Sequence, residues 1–356
     1  MARTIVGLEI TEEGVRAAEV TTGRTPALVA SGSVPLPPGA AKDSEVFDAD
    51  AVAIALKQLW SRAGIRGREV VLGLGSRRIL VREYTTQSMK PELLRQALPY
   101  QVHDLLPVPP DQAVLDFYAT SQVGDQVSGL LVAAVAETVE GLIAAVAKAK
   151  LSVEVVDLAP FGLARAASRV VGPDETVAAF HLGDHTSYVV VLQGGVPRFV
   201  RIIPVDIVTS AVRAREVAAL TDGAASDDAG SDVLEIDVPA LETVPPAEAP
   251  MRRLRSGARV ARPTGMTEQA TADLVARLRS TLTFYADRTG ERPVTRVLLA
   301  GAGAAAPGVA EALAASLPIP VESLSAAQII TGKTVPDGEH GLDLLSTVGL
   351  ALGDAR

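Results

Sequence analysis

The 356-residue chain contains no cysteine, which excludes a disulfide framework and any thiolate metal site. It is also short of basic charge: 33 Lys and Arg stand against 42 Asp and Glu, for a net charge of −9. Nucleic acid is therefore not an expected partner, because phosphate binding needs a basic footprint. Long charge-free apolar runs are missing as well. The most apolar long stretch, Gly129 to Ala149, carries Glu137, Glu140 and Lys148 and fails as a membrane span. A first strand expected within five residues of the start leaves no room for a signal peptide. Hydrophobic residues, by contrast, make up 48% of the chain, enough for a sizeable core in about two domains. The expectation is a soluble cytoplasmic protein.

One strand-turn-strand pattern occurs twice. Its first copy runs Ile5 to Ile10, a turn over Thr11 to Gly14, then Val15 to Val20. The second runs Val177 to Leu182, a turn over Gly183 to Thr186, then Ser187 to Leu192. Each continues through a glycine-bearing turn into a third strand ending at Pro35 or Pro204, and Glu9 aligns with His181. Two copies of one unit far apart predict a duplicated, two-lobed α/β fold with a cleft between the lobes, the layout of the actin-like ATPases.

Between the copies, Val52, Leu56, Leu59 and Trp60 predict an amphipathic helix, 69–74 reads as a buried strand and 79–83 as a half-exposed one. Pro91 opens a helix with Leu94, Leu98, Val102 and Leu105 on one face, which Pro99 is expected to kink or split. Strands over 113–121 and 127–136, a helix over 139–146 and a strand over 153–157 follow. The order strand-strand-helix-strand-strand-helix-strand predicts an α+β insert over 69–157. The remaining divisions are a first lobe beginning at 1–68, a connecting helix at 158–176, a second lobe at 177–341 and a C-terminal helix at 342–356 packing back near the cleft. Ala, Asp, Gly, Glu and Pro dominate 221–264, which reads as a disordered linker. Its block Arg252-Arg253-Leu254-Arg255 reads as a solvated charge run or a membrane-surface contact.

Several ordered segments together resemble one family. Val81-Arg82-Glu83 to Leu94, Leu106-Pro107-Val108-Pro109, Val114 to Phe117, Leu131 to Ala134 and Val156 to Ala166 follow the order of the PilM family of type IV pilus machines, relatives of FtsA. Val297 to Gly303 resembles that family's adenosine-side loop, and Val348 to Leu352 its last helix. The resemblance covers nearly everything except 221–264. It implies an actin-like, ribonuclease H-like duplicated fold with an FtsA/PilM-type insert.

It also implies an ATP site whose logic is intelligible. Two hairpin turns hold the phosphates through backbone N–H groups, and a carboxylate ending each preceding strand holds Mg²⁺ through water. The corresponding positions here are Glu9, Thr11, Gly183, Asp184, Gly301, Ala302 and Gly303. The chain departs from the pattern at most of them. Glu9 replaces Asp, and Thr11-Glu12-Glu13 replaces glycine and small hydroxyl residues. Those added carboxylates would repel a triphosphate by several kcal/mol, roughly, at close range. His181 replaces the second Asp, although Mg²⁺ prefers oxygen, and Ala159 replaces a Glu that orders the attacking water. The expectation is a degenerate site, with no resident cofactor and nucleotide binding weak or lost.

The histidines admit other readings. His181, Asp184 and His185 could form a metal cluster, though their spacing at a strand end does not converge. His103 and His340 read as ordinary surface histidines. What the family implies for function is a cytoplasmic scaffold, peripheral to the inner membrane, that captures the N-terminal tail of a bitopic PilN-like protein between the first lobe and the insert. Leu98, Val102, Leu105, Leu106, Leu115 and Phe117 are the candidate groove residues; core packing is the alternative for each. Other platform proteins, the motor ATPases and self-association are further candidate contacts. The rival readings are an active ATPase that cycles or polymerises, and a kinase of the same superfamily, for which no Asp in position to act as general base is evident.

Overall fold

The computed structural model describes residues 3–217, 266–289 and 292–353. The expected linker at 221–264, with its arginine block, lies outside the described residues.

Strands β1 (Thr4–Ile10), β2 (Gly14–Thr21) and β3 (Ala27–Pro35) form an antiparallel meander. A short hairpin follows, β4 (Ala41–Lys42) and β5 (Glu45–Val46). Helix α1 (Ala49–Ala63) starts at Asp48, whose carboxylate accepts from the amides of Asp50 and Ala51 at 3.0 and 2.9 Å. It stops at Gly64, whose φ of 69° suits the left-handed end. Val52, Leu56 and Leu59 form its buried stripe. Then come β6 (Glu69–Leu74), β7 (Leu80–Gln87), α2 (Pro91–Gln101), β8 (Ala113–Val123), β9 (Gln126–Val135), α3 (Ala136–Lys148) and β10 (Ser152–Leu158).

The first sheet has the order β10-β6-β1-β2-β3, with β6 and β10 parallel to β1. The sequence reading grouped 69–157 as one insert. Strand pairing instead places its first and last strands, and helix α3 packed on α1, with the first lobe. The separate unit is the three-stranded antiparallel sheet β7-β9-β8 with α2 against one face. Pro99 does not split α2. It falls in the last turn, and the helix passes into a 3₁₀ turn at His103–Leu105.

Helix α4 (Ala159–Ser168) leads to the second lobe. There β11 (Thr176–His181), β12 (Thr186–Gln193) and β13 (Val196–Pro204) repeat the antiparallel meander, and residues 210–217 are helical (α5). After α6 (Glu268–Thr289), β14 (Arg296–Ala300) joins parallel to β11. Helix α7 (Val309–Ser316) precedes β15 (Val321–Ser323), which joins parallel to β14. The sheet order β13-β12-β11-β14-β15 is therefore that of the first lobe. Glu9 stands opposite Arg16 and Gly73; His181 stands opposite Tyr188 and Ala300. The two residues occupy the same register in the two copies.

The chain then returns to the first lobe earlier than 341. Leu324, Ala326, Ile329 and Ile330, spanning helix α8 (Ala326–Ile329), are buried in the first lobe's core, and β16 (Thr331–Gly332) pairs with β3. Two short helices, α9 (Gly338–Asp343) and α10 (Leu345–Ala351), end the described chain. Helices α4 and α10 lie in one core that takes side chains from both sheets. They cross at backbone distance: a Cβ built on Gly162 would lie 2.5 Å from the Ser346 carbonyl oxygen, and one on Gly349 would strike the Gly162 carbonyl. A second core, including Phe180, Phe199, Leu278 and Tyr285, fills the space between the second sheet and α6 and α7.

Candidate functional site

The cleft lies where the β1–β2 and β11–β12 turns face each other. Glu9, Thr11, Gly183 and Asp184 line one small cavity there, of ≈ 60 Å³, together with Glu12, Arg16, His181 and His185. Gly301, Ala302 and Gly303 do not line it. Gly301 has φ 88° and donates its N–H to the Leu342 carbonyl at 2.9 Å, while Gly303 donates to the Leu182 carbonyl at 2.8 Å. A Cβ on Gly303 would sit 2.9 Å from Ile207 and 3.0 Å from Leu182. In this structure these glycines let strand ends and side chains of the protein itself approach.

Glu9 is 4% exposed, and its carboxylate accepts from the hydroxyls of Ser346, at 2.9 Å, and Thr347. Arg16 Nε lies 3.6 Å from it, and the Arg16 guanidinium donates to Asp343. Burial works against the charge of Arg16, but Asp343 and Glu9 outweigh it and hold the guanidinium protonated. His181 is buried and stacks on Tyr188 with ring centroids 4.5 Å apart. Burial, and then Arg16, push its pKa down to about 3, so it is neutral, and its Nδ1 has no hydrogen-bond partner among the described residues. Burial raises the Asp184 carboxyl against the hydrogen bond it accepts from Thr209 at 2.5 Å.

Sequence reasoning missed the bridge across this cleft. Glu13, 7% exposed, pairs through Oε1 with His185 Nε2 at 2.9 Å and accepts from Arg215 Nη1 at 2.6 Å. The other ring nitrogen of His185 meets Asp206 at 2.8 Å. Arg215 also donates to the Glu12 carbonyl at 3.3 Å. The Glu13 hydrogen bond, opposed by burial and aided by Asp206, raises the pKa of His185 to about 9. Burial opposes the charge of Glu13, but His185 and Arg215 outweigh it and lower its carboxyl. The two turns are thus joined to each other by ion pairs. A signal for this existed: the spacing that aligns Glu9 with His181 also aligns Glu13 with His185.

Among the described residues no group of three or more His, Asp and Glu is arranged to hold a metal. His181 faces inward and His185 is committed to carboxylates, so the two do not converge. His103 is exposed beside Asp104, and His340 is exposed on α9.

The expected partner groove divides differently. Leu98 and Val102, 2% and 0% exposed, form a small core with Leu131, on which Leu106, Leu115 and Phe117 pack. They hold α2 on the sheet, with Leu98 and Val102 closed off from solvent and Leu106, Leu115 and Phe117 partly buried. Strand alternation explains this. Leu115 and Phe117 stand opposite Ala133 and Leu131 on the α2 face, whereas Val114, Asp116 and Tyr118 stand opposite Ala134, Val132 and Leu130 on the other. On that other face Tyr118 lies 5.1 Å from Phe161 of α4, centroid to centroid, and nearby Arg198 of β13 donates to the Thr120 carbonyl at 3.4 Å. Val114 and Tyr118 are 47% and 38% exposed, and the outer edge of β8 has no strand partner among the described residues. Leu105, 36% exposed, faces a different cavity, between the insert and the second lobe.

A family model for the type IV pilus assembly protein PilM matches residues 7–201, more than half of the chain. The chain belongs to the PilM family. Among solved structures, it superposes on a chain of a PilM–PilN type IV pilus biogenesis complex with a TM-score of 0.76 at 23% identity, covering 99% of this chain and 98% of that one. It also superposes on the ethanolamine utilization protein EutJ of Carboxydothermus hydrogenoformans, with a TM-score of 0.50 at 15% identity, covering 99% and 90%. These likenesses show the fold, and the PilM-family chain shares the duplicated actin-like architecture. Among the described residues, no helix is long and apolar enough to cross a membrane.

Proposed function

We propose that this PilM-family chain is a scaffold of a type IV pilus platform whose insert captures the cytoplasmic tail of a PilN-like bitopic membrane protein as a strand added to β8. The observation that carries the reading is the β8 edge, which has no strand partner among the described residues, with exposed Val114 and Tyr118 beside α4. An unprotected edge offers N–H and C=O groups for backbone pairing, and alternate side chains supply specificity. The solved relative is itself a PilM–PilN complex. Such a tail would attach the protein peripherally to the inner membrane without a span of its own.

The same reading takes the inter-lobe cleft as degenerate. Glu9 is engaged by Ser346 and Thr347, neutral His181 stands at the second carboxylate position, and Glu13 links the two turns. A cavity of ≈ 60 Å³ is far below the several hundred Å³ of a typical ligand pocket. These groups do not fit Mg-ATP, and no catalytic step is assigned to them.

The test is a calorimetric titration of a synthetic tail peptide from the same organism's PilN-like protein. Val114→Asp and Tyr118→Asp are expected to weaken binding by more than about tenfold, or about 1.4 kcal/mol, with circular dichroism confirming the fold. Full affinity in both folded variants removes the tail from β8; no binding by wild type removes the scaffold reading.

A further inference from the structure

The insert touches the second lobe as well as the first, and the contact leaves a cavity of ≈ 680 Å³. Its apolar wall comes from four separate elements: Leu105 after α2, Leu130 of β9, Phe199 of β13 and Phe284 of α6. Leu105 and Phe284 are 36% and 42% exposed, so the wall is open to solvent rather than closed into a core. Arg82 and Arg201, both exposed, stand on the rim. Arg201 lies over the Phe284 ring at 5.7 Å, and among the described residues neither guanidinium has an ion pair with a carboxylate. The carboxylate that also lines the cavity, Glu83, already has an interaction of its own. In a chain of net charge −9, an apolar hollow flanked by two arginines that have no carboxylate partner among the described residues is a local reversal of sign.

We propose that this cavity docks a short acidic segment of a partner protein, one that inserts an aromatic or branched aliphatic side chain between Leu105 and Phe284 and sets carboxylates against Arg82 and Arg201. The size accommodates two or three side chains rather than a folded domain, within the roughly 300–1,000 Å³ typical of binding pockets. Arginine suits the rim because its planar fork receives a carboxylate by two hydrogen bonds while stacking on an aromatic ring. Charge complementarity excludes a basic tail here. The cavity takes none of its lining residues from β8. The inference does not depend on the β8 reading.

The experiment selects random peptides displayed on phage against the full chain, with counter-selection on an Arg82→Glu/Arg201→Glu double variant. Enriched peptides are then titrated by fluorescence polarisation. The expected result is enrichment of sequences that place Asp or Glu beside Phe, Trp or Leu. Their affinity should fall at least about tenfold in the double variant and in Leu105→Glu, and it should fall with added salt. Both variants alter exposed side chains, and an unchanged melting temperature verifies that they fold. Enrichment of basic or purely apolar peptides overturns the proposal, as does equal binding to the double variant. Concentration-dependent self-association of wild type that the double variant abolishes, seen by sedimentation velocity, also overturns it by assigning the cavity to a second copy.

Discussion

Removing His185 should uncouple the two lobes in a pH-dependent way. Its imidazole sits between Glu13 and Asp206, bridging turns that belong to different lobes. The folded-state pKa of about 9 lies above the ordinary 6.5, so folding favours the protonated ring. That contribution is fully present below pH 6.5 and is lost as pH rises toward 9. The full linkage over this interval amounts to about 3 kcal/mol. The ring is 29% exposed and Asp206 is 88% exposed, so solvent screening cuts the figure to about 1–2 kcal/mol. For a chain of this size the loss is a small shift in Tm, about 1–2 °C per kcal/mol. Wild type and His185→Ala are melted at pH 6.5 and 9.5, so that titrations common to both cancel in the difference. Wild type is expected to lose about 1–2 kcal/mol more than the variant between the two pH values. NMR titration of His185 in Glu13→Gln should show its pKa falling from about 9 toward the ordinary value. Equal pH dependence in both proteins, or a His185 pKa that stays near 9 in Glu13→Gln, refutes the bridge.

Other expectations follow from particular contacts. Calorimetry with Mg-ATP should show no saturable heat at millimolar nucleotide; Mg²⁺-dependent micromolar binding contradicts the degenerate-cleft reading. Gly349→Ala should destabilise the fold by about 3 kcal/mol or more in chemical denaturation, because the new methyl meets the backbone of α4 rather than a side chain that can move. Leu98→Ala should cost about 2–5 kcal/mol as a cavity mutation yet leave the tail affinity of the folded fraction unchanged. A large affinity loss without loss of stability would return Leu98 to the groove.

The parts of the fold legible in the sequence were those with local periodicity. The alternating strands and glycine turns of the two hairpin units gave the duplication, and aligning them put Glu9 and His181 at one register, as the pairing with Arg16 and Tyr188 bears out. Membership of β6 and β10 in the first sheet was not legible, because parallel pairing joins segments far apart and leaves no local mark. The return of β16 to β3 was hidden for the same reason. In β8, Val114 and Leu115 are both apolar, so composition left the phase of the alternation open. Packing against α2 decided it, turning Leu115 and Phe117 inward. Arg215 carried no sequence signal, since it meets Glu13 across 202 positions. The glycines at 301 and 303 were visible, but glycine permits close approach to a ligand or to the protein's own backbone equally, and here the neighbours are Leu182 and Ile207.

The most direct test of the scaffold reading is amide hydrogen exchange of the intact chain with and without saturating tail peptide from its PilN-like protein. Backbone N–H groups on the outer side of 113–123 lack a strand partner in the free protein and should exchange quickly. Strand addition predicts that alternate amides there become protected, by about tenfold or more, while 98–106 and the cleft turns change little. Protection confined to 98–106 or to the cleft, with 113–123 unchanged under saturating peptide, contradicts the account.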